Sequence, residues 1–222
     1  TNLNLNIFSK IGVIGDSISC GWALDKNGAN SRRNTDISWV QQLARFIGAK
    51  AYNLGASGVS TTTWFAETYE EWHDPDRGYD YCYKQYKDTE ECDLYIIGLG
   101  LNQDTLGSIS DINEADYEQN AKTYYGQYAR IIQMINAEHP NLKVFCFTEP
   151  TPRITSQDAA VRNICALDFI KAELIDLERD YVDLFVNDKI IAERQPDGLH
   201  YTPHGYSFLK QDDSKLKRFI YK

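Results

Sequence analysis

Short apolar segments alternate with segments of helical periodicity along most of this chain, and this alternation limits the possible folds more than any other feature. Five segments are each a short apolar run bounded by turn-forming residues, as is typical of buried parallel strands. They are residues 11–14, 49–54, 93–99, 142–147 and 181–186. Regular alternation of such strands with helices predicts an α/β protein with a five-stranded parallel sheet and helices on both faces.

Between the strands, apolar residues recur at the intervals of three and four that place them on one side of a helix. Helices are predicted at 39–47, 62–72, 114–138 and 158–176, with a last one from 203 onward. The first of these has Asp36 or Ser38 as a candidate cap and ends at Gly48. Two stretches, 21–35 and 73–91, have no clear period and are predicted to be irregular.

Length and charge set further limits on the chain. With 222 residues, 42% of them hydrophobic, it is predicted to be a single domain over residues 1–222 with a proper core. A formal charge of -9 argues against nucleic acid and anionic membrane surfaces as partners, because both repel a negative protein. No apolar run approaches the length of a membrane span, and no charged-then-apolar leader is present. We expect an extracellular protein whose leader has been removed, with a cytoplasmic protein as the alternative; the oligomeric state is left open.

The chain has five cysteines, an odd number without a Cys-x-x-Cys pair. This count predicts neither a disulfide framework nor a zinc ribbon. One bridge between Cys82 and Cys92 stays open, and Cys146 is interpreted as a small core residue.

Ser17 directly follows the first strand and is the first candidate for chemistry. Open α/β sheets bind ligands outside the carboxyl ends of their strands, and a nucleophile at this position would lie at that edge. The alternative is that residues 15–17 are only a turn in which Ser17 caps a helix. Three further polar segments follow or lie beyond predicted strands; they contain Gly58, Asn102, and the pair Asp197 and His200.

These residue types fit acyl transfer. A serine hydroxyl is a poor nucleophile until a base removes its proton, and histidine is the suitable base near neutral pH. Asp197 lies three residues before His200 and could hold its Nδ1. The backbone amides of Ser17 and Gly58, with the side-chain amide of Asn102, would supply an oxyanion hole.

The four segments resemble the sequence blocks of the SGNH hydrolases, also called the GDSL esterase/lipase family. The matching positions are Gly15-Asp16-Ser17 (with Ile18 in place of the commoner leucine), Gly58, Gly100-x-Asn102 and Asp197-x-x-His200, with Gly205 as the small residue that follows. The resemblance covers nearly the whole chain in the family order. It implies a flavodoxin-like three-layer α/β/α fold and ester hydrolysis through a serine acyl-enzyme, without metal or other cofactor. Ser17, His200 and Asp197 would be the catalytic triad.

One residue departs from the family pattern. Gln103 stands where an aspartate usually follows the asparagine, so a carboxylate that braces this loop is lost unless Asp104 replaces it. The Gly-x-Ser-x-Gly elbow of the α/β-hydrolases is absent, which separates the chain from that family. His204 forms a His-x-x-x-His pair with His200, but Pro203 lies between them and no third ligand is visible, so no metal site is predicted.

Several polar and aromatic residues near these blocks have two interpretations each. Asp16 is interpreted as a structural brace, and Glu149 either faces the cleft or belongs to a turn. Trp22 and Trp64 are candidate substrate-binding residues, with core packing as the alternative. The tyrosine-rich residues 79–86 form either a cap over the site or an exposed excursion.

The sequence therefore predicts a serine esterase for short acyl groups, O-acetyl on carbohydrate in particular. The chain is polar and acidic and has no long apolar segment that could form a lipid-binding lid. A lysophospholipase or thioesterase of the same family is one alternative. A non-catalytic carbohydrate-binding module of a larger protein is the other.

Overall fold

Five parallel strands form the central sheet in a computed structural model of the protein. The structure describes residues 7–24, 31–66, 82–102, 105–149, 151, 154–180, 199–202 and 205–206. The sheet strands within these ranges are β1 (Lys10–Gly15), β4 (Lys50–Asn53), β5 (Leu94–Gly98), β6 (Lys143–Phe147) and β7 (Glu173–Ile175). Two short strands, β2 (Trp22–Leu24) and β3 (Ser31–Arg33), form an antiparallel hairpin beside the sheet.

The sheet has the order β4-β1-β5-β6-β7, with every neighbouring pair parallel. Counted along the chain, the sheet strands are therefore arranged 2-1-3-4-5, which is the flavodoxin-like order. This confirms the predicted five-stranded parallel α/β fold. The first four predicted strands agree with β1, β4, β5 and β6 to within a residue or two.

Helices cover both faces of the sheet. They are α1 (Ser17–Cys20), α2 (Trp39–Ile47), α3 (Cys82–Asp88), α4 (Tyr124–Glu138), α5 (Thr155–Cys165) and α6 (Leu177–Asp180). Successive strand residues point to opposite faces, so Ile11 and Val13 pack with α2 while Ile14 packs with α4 and α5. The result is a three-layer α/β/α arrangement with one apolar core on each side of the sheet.

Local capping explains where two of the helices begin and end. The Ser38 hydroxyl accepts a hydrogen bond from the Gln41 amide at the start of α2, and Gly48 ends the helix in the left-handed conformation, as predicted. The predicted helix over 114–138 begins only at Tyr124, because Thr123 caps it.

Three predicted segments are wrong. The stretch 21–35 was predicted to be irregular but contains the β2–β3 hairpin, and 73–91 contains helix α3, which buries Cys82 and Tyr86. The helix predicted over 158–176 ends at Cys165, and its last part is the edge strand β7. For β7, pairing with a chain-distant strand overrides the local pattern, since Glu173 lies in register with Phe145.

Other predictions lie outside the described residues. They are the strand over 181–186, the helix over 62–72 apart from one 3₁₀ turn at Thr63–Phe65, and most of the helix from 203. A single domain over residues 1–222 stays a prediction.

All five cysteines are free thiols, and both Cys82 and Cys92 are buried. The described parts of the chain contain no helix with the length and apolar character needed to cross a bilayer.

Candidate active site

Ser17 lies at the carboxyl end of the central strand β1. Asp16 caps α1 by accepting a hydrogen bond from the Ile18 amide, so the chain turns from strand to helix within one residue. A Cβ on Gly15 would lie 2.1 Å from the Ser19 hydroxyl oxygen, so this tight turn excludes any side chain at position 15. The sequence Gly-Asp-Ser thus places the serine hydroxyl just outside the sheet.

The loops after β1, β4 and β5 meet at this edge. β1 pairs with β4 on one side and β5 on the other, so the order of the strands reverses here, at a topological switch point. The side-chain amide of Asn102, after β5, donates a 2.8 Å hydrogen bond to the Val59 carbonyl, after β4. The structure therefore joins the loops that contain Gly58 and Asn102.

His200 meets Ser17 across 183 residues of chain. Its Nε2 lies 2.7 Å from Ser17 Oγ, within hydrogen-bond distance. Ser17 is 4% exposed, so this contact is largely shielded from solvent. The arrangement is the one that proton transfer from the serine hydroxyl to the imidazole requires.

Tyr206 anchors the segment that carries His200. Its buried hydroxyl donates to the Trp22 carbonyl at 3.1 Å, and Gln42 Nε2 donates to its backbone carbonyl at 2.6 Å. The histidine segment is therefore held by the hairpin and by α2. Sequence reasoning did not single out Tyr206 or Gln42, since neither belongs to a motif or a periodic run.

Three hydrogen-bond donors at this edge are not used by the described residues. The backbone amides of Ser17 and Gly58 donate to none of them, and the second N–H of the Asn102 side-chain amide has no partner there either. Gly58 is exposed and has a φ of 78°, a conformation that glycine adopts without strain. The predicted oxyanion role of these donors stays a prediction.

Several predicted site residues lie outside the described residues. Asp197 is among them, so its role as the acid of the triad stays a prediction. Gln103, Asp104 and His204 are also outside the described ranges. Within those ranges, His, Cys, Asp and Glu side chains form no group of three placed to hold a metal ion.

The Asp16 carboxyl is fully buried beside the nucleophile. Burial raises the pKa of Asp16 to about 7, while the amides of Ile18, Leu101 and Gly100 act in the opposite direction. The hydrogen bond from Ile18 agrees with its interpretation as a structural brace of the turn into α1.

The two tryptophans proposed for substrate contact are buried. Trp64 is 0% exposed and packs in the core against Phe65, Tyr83 and Tyr86, which contradicts its candidate role in substrate binding. Trp22 is 6% exposed, which leaves little of its surface for a substrate. Core packing is therefore the better interpretation of both residues. The sequence did not show this, because a short apolar stretch around a tryptophan is compatible with a cleft as well as with a core.

Glu149 follows the end of β6 and is buried rather than on an open turn. Its backbone amide donates to Asp158 Oδ1 on α5 at 2.9 Å. Asp158 was not identified from the sequence, where it resembles an ordinary polar residue in the first turn of a helix.

A doubly wound parallel sheet with a serine–histidine contact at its switch point is an arrangement that hydrolases use. The chain belongs to the GDSL-like lipase/acylhydrolase family, whose sequence model matches residues 13–208. This family comprises ester hydrolases and confirms the resemblance identified from the four sequence blocks.

Solved structures of similar fold agree with this assignment. A carbohydrate acetylesterase from Sinorhizobium meliloti is 16% identical, with a TM-score of 0.59 over 96% of this chain and 98% of the other. A GDSL-like lipase from Bacteroides uniformis is 14% identical, with a TM-score of 0.62 over 98% of each chain. A family two carbohydrate esterase from Clostridium thermocellum, solved with cellohexaose, is 19% identical, with a TM-score of 0.55 over 99% of this chain and 64% of the other. No curated protein matches the sequence.

Proposed function

We propose that this protein is a serine esterase that removes short acyl groups, acetyl in particular, from carbohydrate. The observation that carries the proposal is the 2.7 Å contact between Ser17 Oγ and His200 Nε2 at the carboxyl edge of the sheet. Membership of the GDSL-like lipase/acylhydrolase family supports ester hydrolysis as the reaction.

The proposed reaction proceeds in two halves. Ser17 Oγ attacks the ester carbonyl carbon as its proton passes to His200 Nε2, and the carbonyl oxygen becomes an oxyanion. His200 then gives the proton to the leaving alcohol oxygen, and the C–O bond breaks to leave an acyl group on Ser17. A water molecule attacks this acyl group, again with His200 as the base, and free acid and serine are restored.

Two sets of groups would assist these steps. Asp197 would accept a hydrogen bond from His200 Nδ1 and so keep Nε2 free to take the proton. The amides of Ser17 and Gly58 and the Asn102 side chain would donate to the oxyanion, and one such donor is typically worth about 3 kcal/mol in the transition state.

The substrate class is argued from charge and from the structural relatives. A chain of net charge -9 favours neutral substrates over phosphate-bearing ones. Two of the structural relatives act on carbohydrate, and one is an acetylesterase. Acetyl esters of neutral sugars satisfy both considerations.

Labelling with a fluorophosphonate probe tests whether the site is catalytic. We expect Ser17 in the native protein to react covalently and Ser17→Ala to remain unlabelled. Ser19→Ala is the matched control, because Ser19 is a buried serine on the same short helix. If the native protein is not labelled, the chain is a non-catalytic binding module and the proposal is wrong.

Comparison of p-nitrophenyl acetate with p-nitrophenyl octanoate tests the acyl length. We expect kcat/KM to be higher for acetate, and release of acetate from an acetylated oligosaccharide. A strong preference for octanoate would favour a lysophospholipase or thioesterase instead.

A further inference from the structure

Asn53 is the last residue of β4 and joins three elements through its side-chain amide. Its Nδ2 donates to the Ser19 carbonyl at 2.7 Å and to the Ser38 hydroxyl at 3.3 Å, and its Oδ1 accepts from the Gly55 amide at 3.1 Å. These partners belong to α1, to the start of α2 and to the loop after β4. Both N–H groups and the carbonyl oxygen of the side chain are therefore used.

The contact with α1 holds the element that begins with the nucleophile. This helix consists of only four residues, Ser17–Cys20, and Ser19 is buried within it. A helix leaves the carbonyl groups of its last turn without intrahelical donors, and Asn53 supplies a donor to one of them. So short a helix depends on contacts of this kind for its position.

The contact with the loop after β4 holds the segment that leads to Gly58. A Cβ on Gly55 would lie 2.8 Å from the backbone nitrogen of Cys20 and 3.0 Å from Asn53 Oδ1, so the loop packs directly against α1. Glycine at this position lets the two backbones approach closely. The first part of the loop is therefore fixed to the helix of the nucleophile, three residues before Gly58.

The two backbone amides that are candidates for the oxyanion hole lie on the two segments that Asn53 joins. Ser17 begins α1, and Gly58 lies in the loop after β4. Donors in an oxyanion hole act from positions fixed in advance, and a displacement of about 1 Å can cost about a hundredfold in rate. We propose that Asn53 is a positioning residue whose amide holds these two segments together and so sets the spacing of the Ser17 and Gly58 amides. The catalytic part of this role rests on the esterase function proposed above.

Asparagine suits this role because it presents a donor and an acceptor on one short side chain. Aspartate has nearly the same shape and keeps the acceptor for the Gly55 amide, but it places an oxygen against the Ser19 carbonyl. Alanine removes both contacts. Comparison of Asn53→Asp with Asn53→Ala therefore separates the donor to α1 from the packing of the side chain.

Steady-state kinetics on p-nitrophenyl acetate test the positioning role. We expect both Asn53→Asp and Asn53→Ala to lower kcat about 10- to 100-fold with KM changed less than about threefold, because misplaced donors act mainly in the transition state. Melting temperatures show that each variant is folded at the temperature of the assay. Native kcat in folded Asn53→Asp would show that the donor to Ser19 is not needed, and would overturn the proposal.

Asn120→Ala is the matched control, because Asn120 makes the same set of hydrogen bonds elsewhere. Its Nδ2 donates to the Gly126 carbonyl and to Gln133 Oε1, both at 2.9 Å, and its Oδ1 accepts from the Asn113 amide at 2.7 Å. None of these partners belongs to α1 or to the loop after β4. We expect this variant to lower the melting temperature and to keep kcat within about twofold. A loss of kcat equal to that of Asn53→Ala would reduce Asn53 to a general role in stability, and the proposal would be wrong.

The amide NMR spectrum of the folded protein tests the placement of the two amides without turnover. We expect the Ser17 and Gly58 signals to shift in Asn53→Ala and to stay in place in Asn120→Ala. If fluorophosphonate does not label the native protein but these signals shift, the esterase function is wrong and the placement of the amides by Asn53 is retained. If labelling succeeds and neither signal shifts, only the role of Asn53 is lost.

Discussion

At the scale of single residues, the site depends on contacts between positions that lie far apart in the sequence. His200 reaches Ser17 across 183 residues, and Asn102 reaches Val59 across 43. The second contact uses one N–H of the Asn102 amide, and the other has no partner among the described residues. Asn102 is thus both a link between two loops and the candidate side-chain donor to the oxyanion.

Asn102→Ala should lower kcat on p-nitrophenyl acetate by about 10²- to 10³-fold, with KM changed much less, because the lost donor acts mainly in the transition state. Steady-state kinetics with the native protein and the variant measure this. The melting temperature serves as the control for folding, and fluorophosphonate labelling serves as the control for the integrity of Ser17. A variant that retains native kcat would exclude Asn102 from the oxyanion hole.

At the scale of elements, the β2–β3 hairpin and α2 hold the segment that carries the histidine. Tyr206 joins these elements, through its hydroxyl to the Trp22 carbonyl and through its carbonyl to Gln42. The nucleophile is held by the β1–α1 turn and by Asn53, whose amide donates to the Ser19 carbonyl at 2.7 Å. The same amide lies 3.3 Å from the Ser38 hydroxyl that caps α2, so the supports of Ser17 and of His200 are connected.

Tyr206→Phe should lower the melting temperature by about 2–4 °C, because it removes a buried hydrogen bond to the Trp22 carbonyl at a cost of about 1 kcal/mol. We also expect kcat to fall about 2- to 10-fold as the His200 segment loosens. Calorimetry and steady-state kinetics measure the two effects.

Tyr52→Phe is the matched control, since the Tyr52 hydroxyl is buried and has no hydrogen-bond partner among the described residues. Its removal should leave both stability and kcat unchanged or slightly improved. Equal losses in the two variants would show that the Tyr206 hydroxyl has no special role.

At the scale of the whole molecule, charge is distributed unevenly between surface and interior. Most ion pairs of the described residues are exposed, as in Lys84 with Asp88, and contribute little to the free energy of unfolding. The buried carboxyl groups of Asp16, Glu149 and Asp158 form no ion pair with the residues that the structure describes, and they make the stability of the fold depend on pH. When the pKa of a group is higher in the folded state than in the unfolded state, its contribution to stability is fully present below the unfolded pKa. That contribution is lost as the pH rises through the folded pKa.

Asp158→Asn should therefore stabilise the protein at pH 8 and have little effect at pH 4. The pKa of Asp158 is raised to about 7 in the folded state. Between about pH 4 and pH 7 the unfolded chain loses this proton while the folded protein keeps it, so the free energy of unfolding falls over that range. Allowing for relaxation around the charge, we expect a gain of about 2 kcal/mol at pH 8, measured by urea unfolding at the two pH values. The exposed Asp168→Asn, which changes the net charge equally, is the control and should show no such difference.

The sequence by itself determined four of the five sheet strands and the position of Ser17 directly after the first. Short apolar runs such as 11–14 and 94–97 are typical of strands buried on both faces of a parallel sheet, and this pattern is local to the sequence. Gly15, Asp16 and Ser17 form a turn whose geometry is also local. These features were predictable because each depends on residues adjacent in the chain.

Only the tertiary structure decided the rest. The stretch that contains β7 has helical spacing, yet it forms a strand because a partner strand more than 25 residues away supplies its hydrogen bonds. Trp64 is a core residue because α3 covers it, and Glu149 is buried among acids because three separate elements meet there. Long-range packing sets such environments, and no local pattern in the sequence encodes which distant groups a side chain will face.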